Sequence, residues 1–196
     1  METLPELITY IGKRMFERRL TDMSGGNISA REGQRVFITP RYAGANQHWQ
    51  LKTEDILVGD INSDELLDEP RFSREGKAHL LIYRTFPEAQ AVLHAHAFHI
   101  QPFAAACKPI HPVLESTQKF GVIELVEAAP SHSAELAENI VAGLKGKEER
   151  MRKQAAAVLI PYHGIVVAGK GLMACLDALE RIDWNAWCIL AQKLME

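Results

Sequence analysis

Ala91–Val92–Leu93–His94–Ala95–His96 decides how this chain is read. Three apolar residues lead into two histidines set two apart. On a β-strand, side chains at i and i+2 share a face, so both imidazoles point the same way. Their Cα atoms then lie about 6.5–7 Å apart, which lets two ring nitrogens converge on one ion at about 2.0–2.1 Å each. The apolar residues anchor the strand in a core and leave the histidines at its end. The pair alone has a plainer reading, two imidazoles satisfied by backbone groups at a strand terminus. A catalytic zinc needs a third protein ligand and an open position. Of the eight histidines, His163 is the best candidate. It follows the apolar run Ala157–Val158–Leu159–Ile160 and precedes Gly164, which has no side chain to crowd a metal. His79, four residues after Glu75 on one predicted helix, is a candidate supporting contact. His99 falls on the next helix and another face. His48, His111 and His132 fall in loops, where a surface or capping role is the default.

The surrounding sequence alternates between strand and helix patterns. Leu4, Leu7, Ile8, Ile11, Met15, Phe16 and Leu20 recur at helical spacing over residues 4–20. Residues 27–31 and 35–39 read as a hairpin, 40–50 as an irregular loop and 55–61 as a strand. Ser73 is expected to cap a helix that runs to about Phe86, with Glu75 in its first turn. Strand 89–95 is followed by a short helix over 98–106, a strand within 119–127 and a helix over 133–144. Strands 156–160 and 165–168 then flank Pro161–Tyr162–His163–Gly164. A long, apolar helix over 172–194 is expected to be buried between layers or at a subunit interface. Intermixed strands and helices, with no repeat and no linker, imply one layered α/β domain over residues 1–196.

Composition narrows the function classes. The 196 residues are 47% hydrophobic and 24% charged, an ordinary globular balance that can bury a sizeable core. Net charge is −3, and no Lys/Arg cluster gives the footprint of a nucleic-acid binder. Lys145–Lys153 alternates in sign and reads as a solvated turn or helix end. Three widely spaced cysteines argue against a disulfide framework or a cysteine zinc site, and suit a reducing cytoplasm. The charged N-terminal stretch lacks the apolar core of a signal peptide, and no window reaches a membrane span.

Two further motifs have double readings. Glu75 near a helix N-terminus is favoured there on electrostatic grounds alone. Ser24–Gly25–Gly26–Asn27–Ile28–Ser29 is either an ordinary approach to a hairpin or a cradle whose backbone N–H groups hold a phosphate. It matches neither the P-loop nor the dinucleotide fingerprint.

Taken in order, these segments resemble the class II aldolase/adducin family. The resemblance rests on Ser24–Arg31, Phe37–Pro40, Ser73–Arg74–Glu75, Pro87–His96 and Tyr162–His163–Gly164 with the long helix that follows. It implies a three-layer α/β/α domain with a central mixed, largely antiparallel sheet. It also implies Zn²⁺ held by His94, His96 and His163, with Glu75 as catalytic base or fourth ligand. Gly26, Asn27 and Ser73 are the implied phosphate contacts. By resemblance to the fuculose-phosphate type enzymes, the implied reaction is zinc-dependent cleavage of a ketose 1-phosphate to dihydroxyacetone phosphate and an aldehyde through a metal-stabilised enediolate. An epimerase, a dehydratase and a non-catalytic adducin-like binding module are the alternatives. The implied setting is a cytoplasmic homotetramer acting on a small phosphorylated sugar, with no nucleic-acid or membrane partner. The sequence departs from the family pattern in three places. Arg74 stands where a second small hydroxyl residue is usual. The loop after Pro40 is longer, so Thr39, Arg41 and Gly44 carry over weakly. No tyrosine matches the family's proton donor, either after the histidine pair or beyond the last helix.

Overall fold

Thr3 opens the first helix with a capping box: its backbone N–H donates to Glu6 Oε2 at 2.7 Å, and its hydroxyl accepts from the Glu6 N–H. In the computed structural model, which describes residues 3–195, the chain runs α1 (Leu4–Glu17), β1 (Asn27–Glu32), β2 (Arg35–Ile38), α2 (Ala43–Gln47), β3 (Leu57–Asp60), α3 (Glu65–Asp68), α4 (Gly76–Thr85), β4 (Ala91–Ala95), α5 (Gln101–Ala105), α6 (Ala134–Leu144), α7 (Glu148–Lys153), β5 (Ala155–Ile160), β6 (Gly164–Gly169) and α8 (Leu172–Gln192). The first two and the last position of the expected 1–196 domain lie outside the described residues. Short 3-10 turns occupy Thr53–Asp55 and Glu115–Phe120.

The strands form one sheet in the order β3-β2-β1-β4-β6-β5, and every neighbouring pair is antiparallel. The expected mixed character comes down to a single parallel bridge between Leu125 and Leu159. Period-two alternation sorts the strand residues between two cores. Ala91, Leu93 and Ala95 of β4, Leu159 of β5 and Ile165 and Val167 of β6 join the core under α1 and α8. Val92, Val158, Ile160 and Val166 join the core under α4 and α6. The result is the expected α/β/α sandwich. Each fully buried Leu, Ile or Val contributes about 1.5–3 kcal/mol. His94 keeps step with Val92 and therefore lies on the α4/α6 face.

Several boundaries differ from the sequence reading, each for a local reason. α1 stops at Glu17 because Arg19 turns left-handed (φ 57°). Leu20 N–H then bonds the Met15 carbonyl at 2.8 Å and Arg19 N–H the Phe16 carbonyl at 3.1 Å, a Schellman closure that buries Leu20. Ser73 is not the cap of α4. Glu75 holds that position without a side-chain cap bond, while the Ser73 hydroxyl accepts a hydrogen bond from Asn27. The expected strand within 119–127 is a 3-10 turn ended by Gly121 (φ 66°), then isolated bridges at Ile123 and Leu125. The loop over 40–50 contains α2, and the charged stretch near 150 forms α7.

α8 is buried along one face only; Trp184 and Trp187 face outward. Its buried Asp183 accepts from the backbone N–H groups of His99 and Ile100, and its buried Asn185 from those of Val113 and Leu114. These two side chains pin the 97–117 segment to the helix.

Leu93 is fully buried at the centre of the sheet. Leu93→Ala is expected to lower unfolding free energy by about 2–5 kcal/mol in urea titration, through lost contacts and a residual cavity.

Candidate metal centre and active site

β4 lies between β1 and β6, and that placement gathers the site. Asn27 at the start of β1 pairs with His94, and His94 pairs with Val166 on β6. His163 sits in the three-residue turn between β5 and β6, beside the end of β4. Its N–H donates to the Ile160 carbonyl at 3.1 Å, and Tyr162 takes a left-handed φ of 58° to close the turn. Gly164 is required here, because a methyl group would strike the Ala95 carbonyl.

The three expected ligands converge. Ring centroids are 5.1 Å apart for His94–His96, 4.8 Å for His94–His163 and 5.2 Å for His96–His163. One nitrogen from each ring lies within 4.8 Å of the other two. Their hydrogen bonds prepare them for a cation. His94 Nδ1 donates to the Ile165 carbonyl at 3.1 Å, so Nε2 carries the lone pair. His96 Nδ1 lies 3.2 Å from both Asp22 Oδ1 and Ser24 Oγ. The Ser24 hydroxyl already donates to Asp22, so the His96 N–H points to this pair and its Nε2 is likewise free. Both Nε2 atoms, and Nδ1 of His163, are buried without a partner. Three orphaned imidazole nitrogens in one place are costly unless something binds them. The donor set fits a zinc-type cation with an open position.

Electrostatics point the same way. Burial, then the charges His163 and His96 would carry, push the His94 pKa well below its usual value. Burial lowers that of His163 too; nearby Glu75 opposes the shift, and His96 and His132 add to it. His94 and His163 are therefore neutral near neutral pH.

Around them lies a cavity of about 160 Å³, lined also by Gly25, Gly26, Asn27, Arg41, Tyr42, Ser73, Arg74, Glu75 and His132. Gly25 must lack a side chain, since a methyl group would overlap the His96 ring. Gly26 has φ 98°, a left-handed backbone that suits glycine. Asn27 donates to Ser73 Oγ at 2.8 Å, and its own Oδ1 is buried without a partner. Gly26, Asn27 and Ser73 thus form one wall of the cavity. Arg74 lies near Tyr42, whose ring centroid is 6.0 Å from its guanidinium carbon, and Arg41 donates to the Tyr42 hydroxyl at 2.6 Å.

Two residues were missed in the sequence. Asp22 orients His96 and accepts from the backbone N–H groups of Ser24 and Gly25. An aspartate just before a Ser-Gly-Gly turn is the signal that would have found it. His132, taken as a loop histidine of surface or capping type, instead places Nδ1 2.7 Å from Glu75 Oε1. Its ring N–H points off that line, so the contact is close but poorly aligned. His79 on α4 bonds Ser29 Oγ at 2.7 Å, which also meets the Tyr83 hydroxyl at 2.8 Å, outside the cavity lining. Burial holds its pKa down to about 3. His99 is bound to Asp183 on α8, outside the cavity.

The family model of the class II aldolase and adducin N-terminal domain matches residues 6–190. The chain belongs to this family. An L-fuculose phosphate aldolase from Methanococcus maripaludis is 30% identical over 174 residues, covering 88% of each chain. A 3-oxo-tetronate 4-phosphate decarboxylase from Haemophilus influenzae is 27% identical, covering 92% of this chain and 84% of the relative. A solved L-fuculose 1-phosphate aldolase superposes with a TM-score of 0.83 at 26% identity, over 100% of this chain and 90% of that one. Relatives in this family are thus named as sugar-phosphate aldolases and as a decarboxylase. No helix among the described residues is long and apolar enough to cross a membrane.

Removing the Asp22 carboxylate frees the His96 ring. Asp22→Ala is expected to weaken zinc binding about 10–100-fold in chelator competition. His79 is neutral in the folded state at any pH above about 3, whereas an unfolded histidine takes up a proton below about 6.5. Its stabilising share is therefore complete above pH 6.5 and is lost as pH falls toward 3. His79→Gln is expected to flatten the stability profile over that window by up to about 1.4 kcal/mol per pH unit, measured by urea unfolding at stepped pH.

Proposed function

We propose that this protein is a zinc-dependent aldolase that cleaves a ketose 1-phosphate to dihydroxyacetone phosphate and an aldehyde. One observation carries the reading: three imidazoles, each with a buried ring nitrogen that has no partner, meet in a cavity that also holds a carboxylate and a glycine-turn wall. His94, His96 and His163 would hold the ion. When bound, it supplies a Lewis acid for the negative charge that develops on the substrate oxygens.

The remaining work falls to the chain's own groups. Gly26 and Asn27, with Ser73, hold the phosphate and set the reacting carbon beside the histidines. Arg74 lines the same cavity and adds a fixed positive charge for the phosphate. As the carbon–carbon bond breaks, the hydroxyl that becomes the aldehyde gives its proton to Glu75, and Glu75 delivers a proton to the carbon of the resulting dihydroxyacetone phosphate enediolate. The burial of Glu75 keeps bulk water from competing for that proton. In this reading residues 1–196 act as one domain in a cytoplasmic homotetramer, with exposed Phe98, Trp184 and Trp187 available for self-association.

The test is a turnover screen of the zinc-loaded protein. Ketose 1-phosphates are expected to yield dihydroxyacetone phosphate, and Glu75→Gln to lose about 10²–10⁴-fold in kcat with zinc content retained. Full activity in that variant removes Glu75 from the mechanism. Carbon dioxide release from a 3-oxo-acid phosphate, with no ketose cleavage, would replace the aldolase by a decarboxylase. A folded protein that binds no metal would favour an adducin-like scaffold.

A further inference from the structure

The cavity beside the histidines continues past its phosphate wall. Arg41, Ser73 and Arg74 line it, and the same three residues line a second cavity of about 430 Å³. Lys77, in the first turn of α4, lines the second cavity and not the first. Three cations therefore face one space. Arg41 is held by neutral groups: Nη1 donates to the Pro70 carbonyl at 3.3 Å and Nη2 to the Tyr42 hydroxyl at 2.6 Å. Its Nε is buried without a partner. Among the described residues, Arg41, Arg74 and Lys77 enter no ion pair. Two carboxylates line the second cavity, Asp68 and Glu69. Glu69 is already taken by Arg71, through its side chain at 3.2 Å and its N–H at 3.0 Å. Only Asp68 is left to offset the three cations, and the N-terminus of α4 adds its own positive end. The local potential shows at Tyr42, where the hydrogen bond and charge of Arg41, and then the charge of Arg74, hold the hydroxyl below its usual pKa.

Like charges gathered in one cavity repel one another, and an anion lying between them offsets the surplus. The charge count sets the class of that anion. Three cations less Asp68 leave two, which suits a dianionic phosphate better than a carboxylate with a single charge. The shared residues put the doorway between the cavities at the phosphate contacts themselves. A phosphate held by Gly26, Asn27 and Ser73 thus has space beyond it for a second one joined to it. We propose that the second cavity is a subsite for a second phosphate group, gripped by Arg41 and Lys77 with Arg74 shared between the two cavities. The protein then favours ligands carrying two linked phosphates over ligands carrying one. This deepens the reading given above and rests on its placement of the first phosphate. It gives a role to Arg41 and Lys77, which that reading does not use.

Because Lys77 lines the second cavity alone, its substitution reads that cavity and spares the first. The side chain is only partly buried, so Lys77→Gln is expected to fold. Binding is measured by titration calorimetry on zinc-free protein whose fold is verified by circular dichroism, so that chelation of metal by the probes does not enter. Inorganic pyrophosphate is expected to bind about tenfold tighter than inorganic phosphate, the worth of one hydrogen bond to a charged group. Lys77→Gln is expected to bring the two probes within about twofold and to leave phosphate affinity unchanged. Lys77→Arg is expected to keep the preference. Lys170→Gln, which removes an exposed lysine outside both cavities, is expected to change neither affinity. Equal affinities in the wild type overturn the proposal. A preference that survives Lys77→Gln overturns it too, as does an equal loss for both probes. Phosphonoacetate offers a carboxylate in place of the second phosphate and is expected to bind no better than phosphate. If it matches pyrophosphate and loses its advantage in Lys77→Gln, the second group is a carboxylate and the phosphate assignment falls. None of these titrations needs turnover. A wild-type protein that cleaves no ketose 1-phosphate counts against the aldolase reading, and the pyrophosphate preference still decides the subsite.

Discussion

The hydrogen bond from His94 Nδ1 to the Ile165 carbonyl joins the site to the sheet. It exists because β4 is paired on both sides, to β1 and to β6, each antiparallel and in a fixed register. A slip of one residue would turn every β4 side chain to the opposite face and carry His94 into the core beneath α1 and α8. The alternating burial of β4, β5 and β6 forbids that slip, since it would exchange Val92 and Leu93 between two filled cores. The same register sets the Gly25–Asn27 turn beside His94 and the His163 turn beside Ala95. Packing of the sheet and geometry of the site are one constraint.

The cavity combines two kinds of support. The histidines stand on strand ends and a tight turn, where their rings are oriented by a carbonyl and by Asp22. Such outer contacts fix tautomer and direction before any cation arrives. Glu75 and His132 stand instead at helix N-termini, placed by backbone turns. The fixed imidazoles suit binding, and the less tightly held carboxylate suits a group that must change partners. Burial serves both, because it keeps His94 and His163 neutral and removes competing water.

Much of this was legible in the residue order. The residue patterns located all six strands, and the spacing of His94 and His96 named a shared face. The third histidine was legible because an apolar strand leads into it and a glycine follows. What escaped has a common cause. His132 lies in a polar turn whose direction is set by one left-handed residue and by the packing of α6 on α4, and neither leaves a periodic mark. Asp22 escaped because an isolated aspartate before a turn is ordinary in a sequence. The expected strand near residue 123 failed because Gly121 breaks the run and the backbone meets β5 at a single bridge.

By itself, then, the sequence determined the six strands, the longer helices and the identity of three metal-compatible side chains, since each follows from local periodicity and residue chemistry. The tertiary structure alone decided that these three meet, that Glu75 caps its helix instead of lying within it, and that His132 is its neighbour. Those facts depend on contacts between segments separated by dozens of residues, as His94 and His163 are. Such contacts are set by strand register and helix packing, which no local pattern encodes.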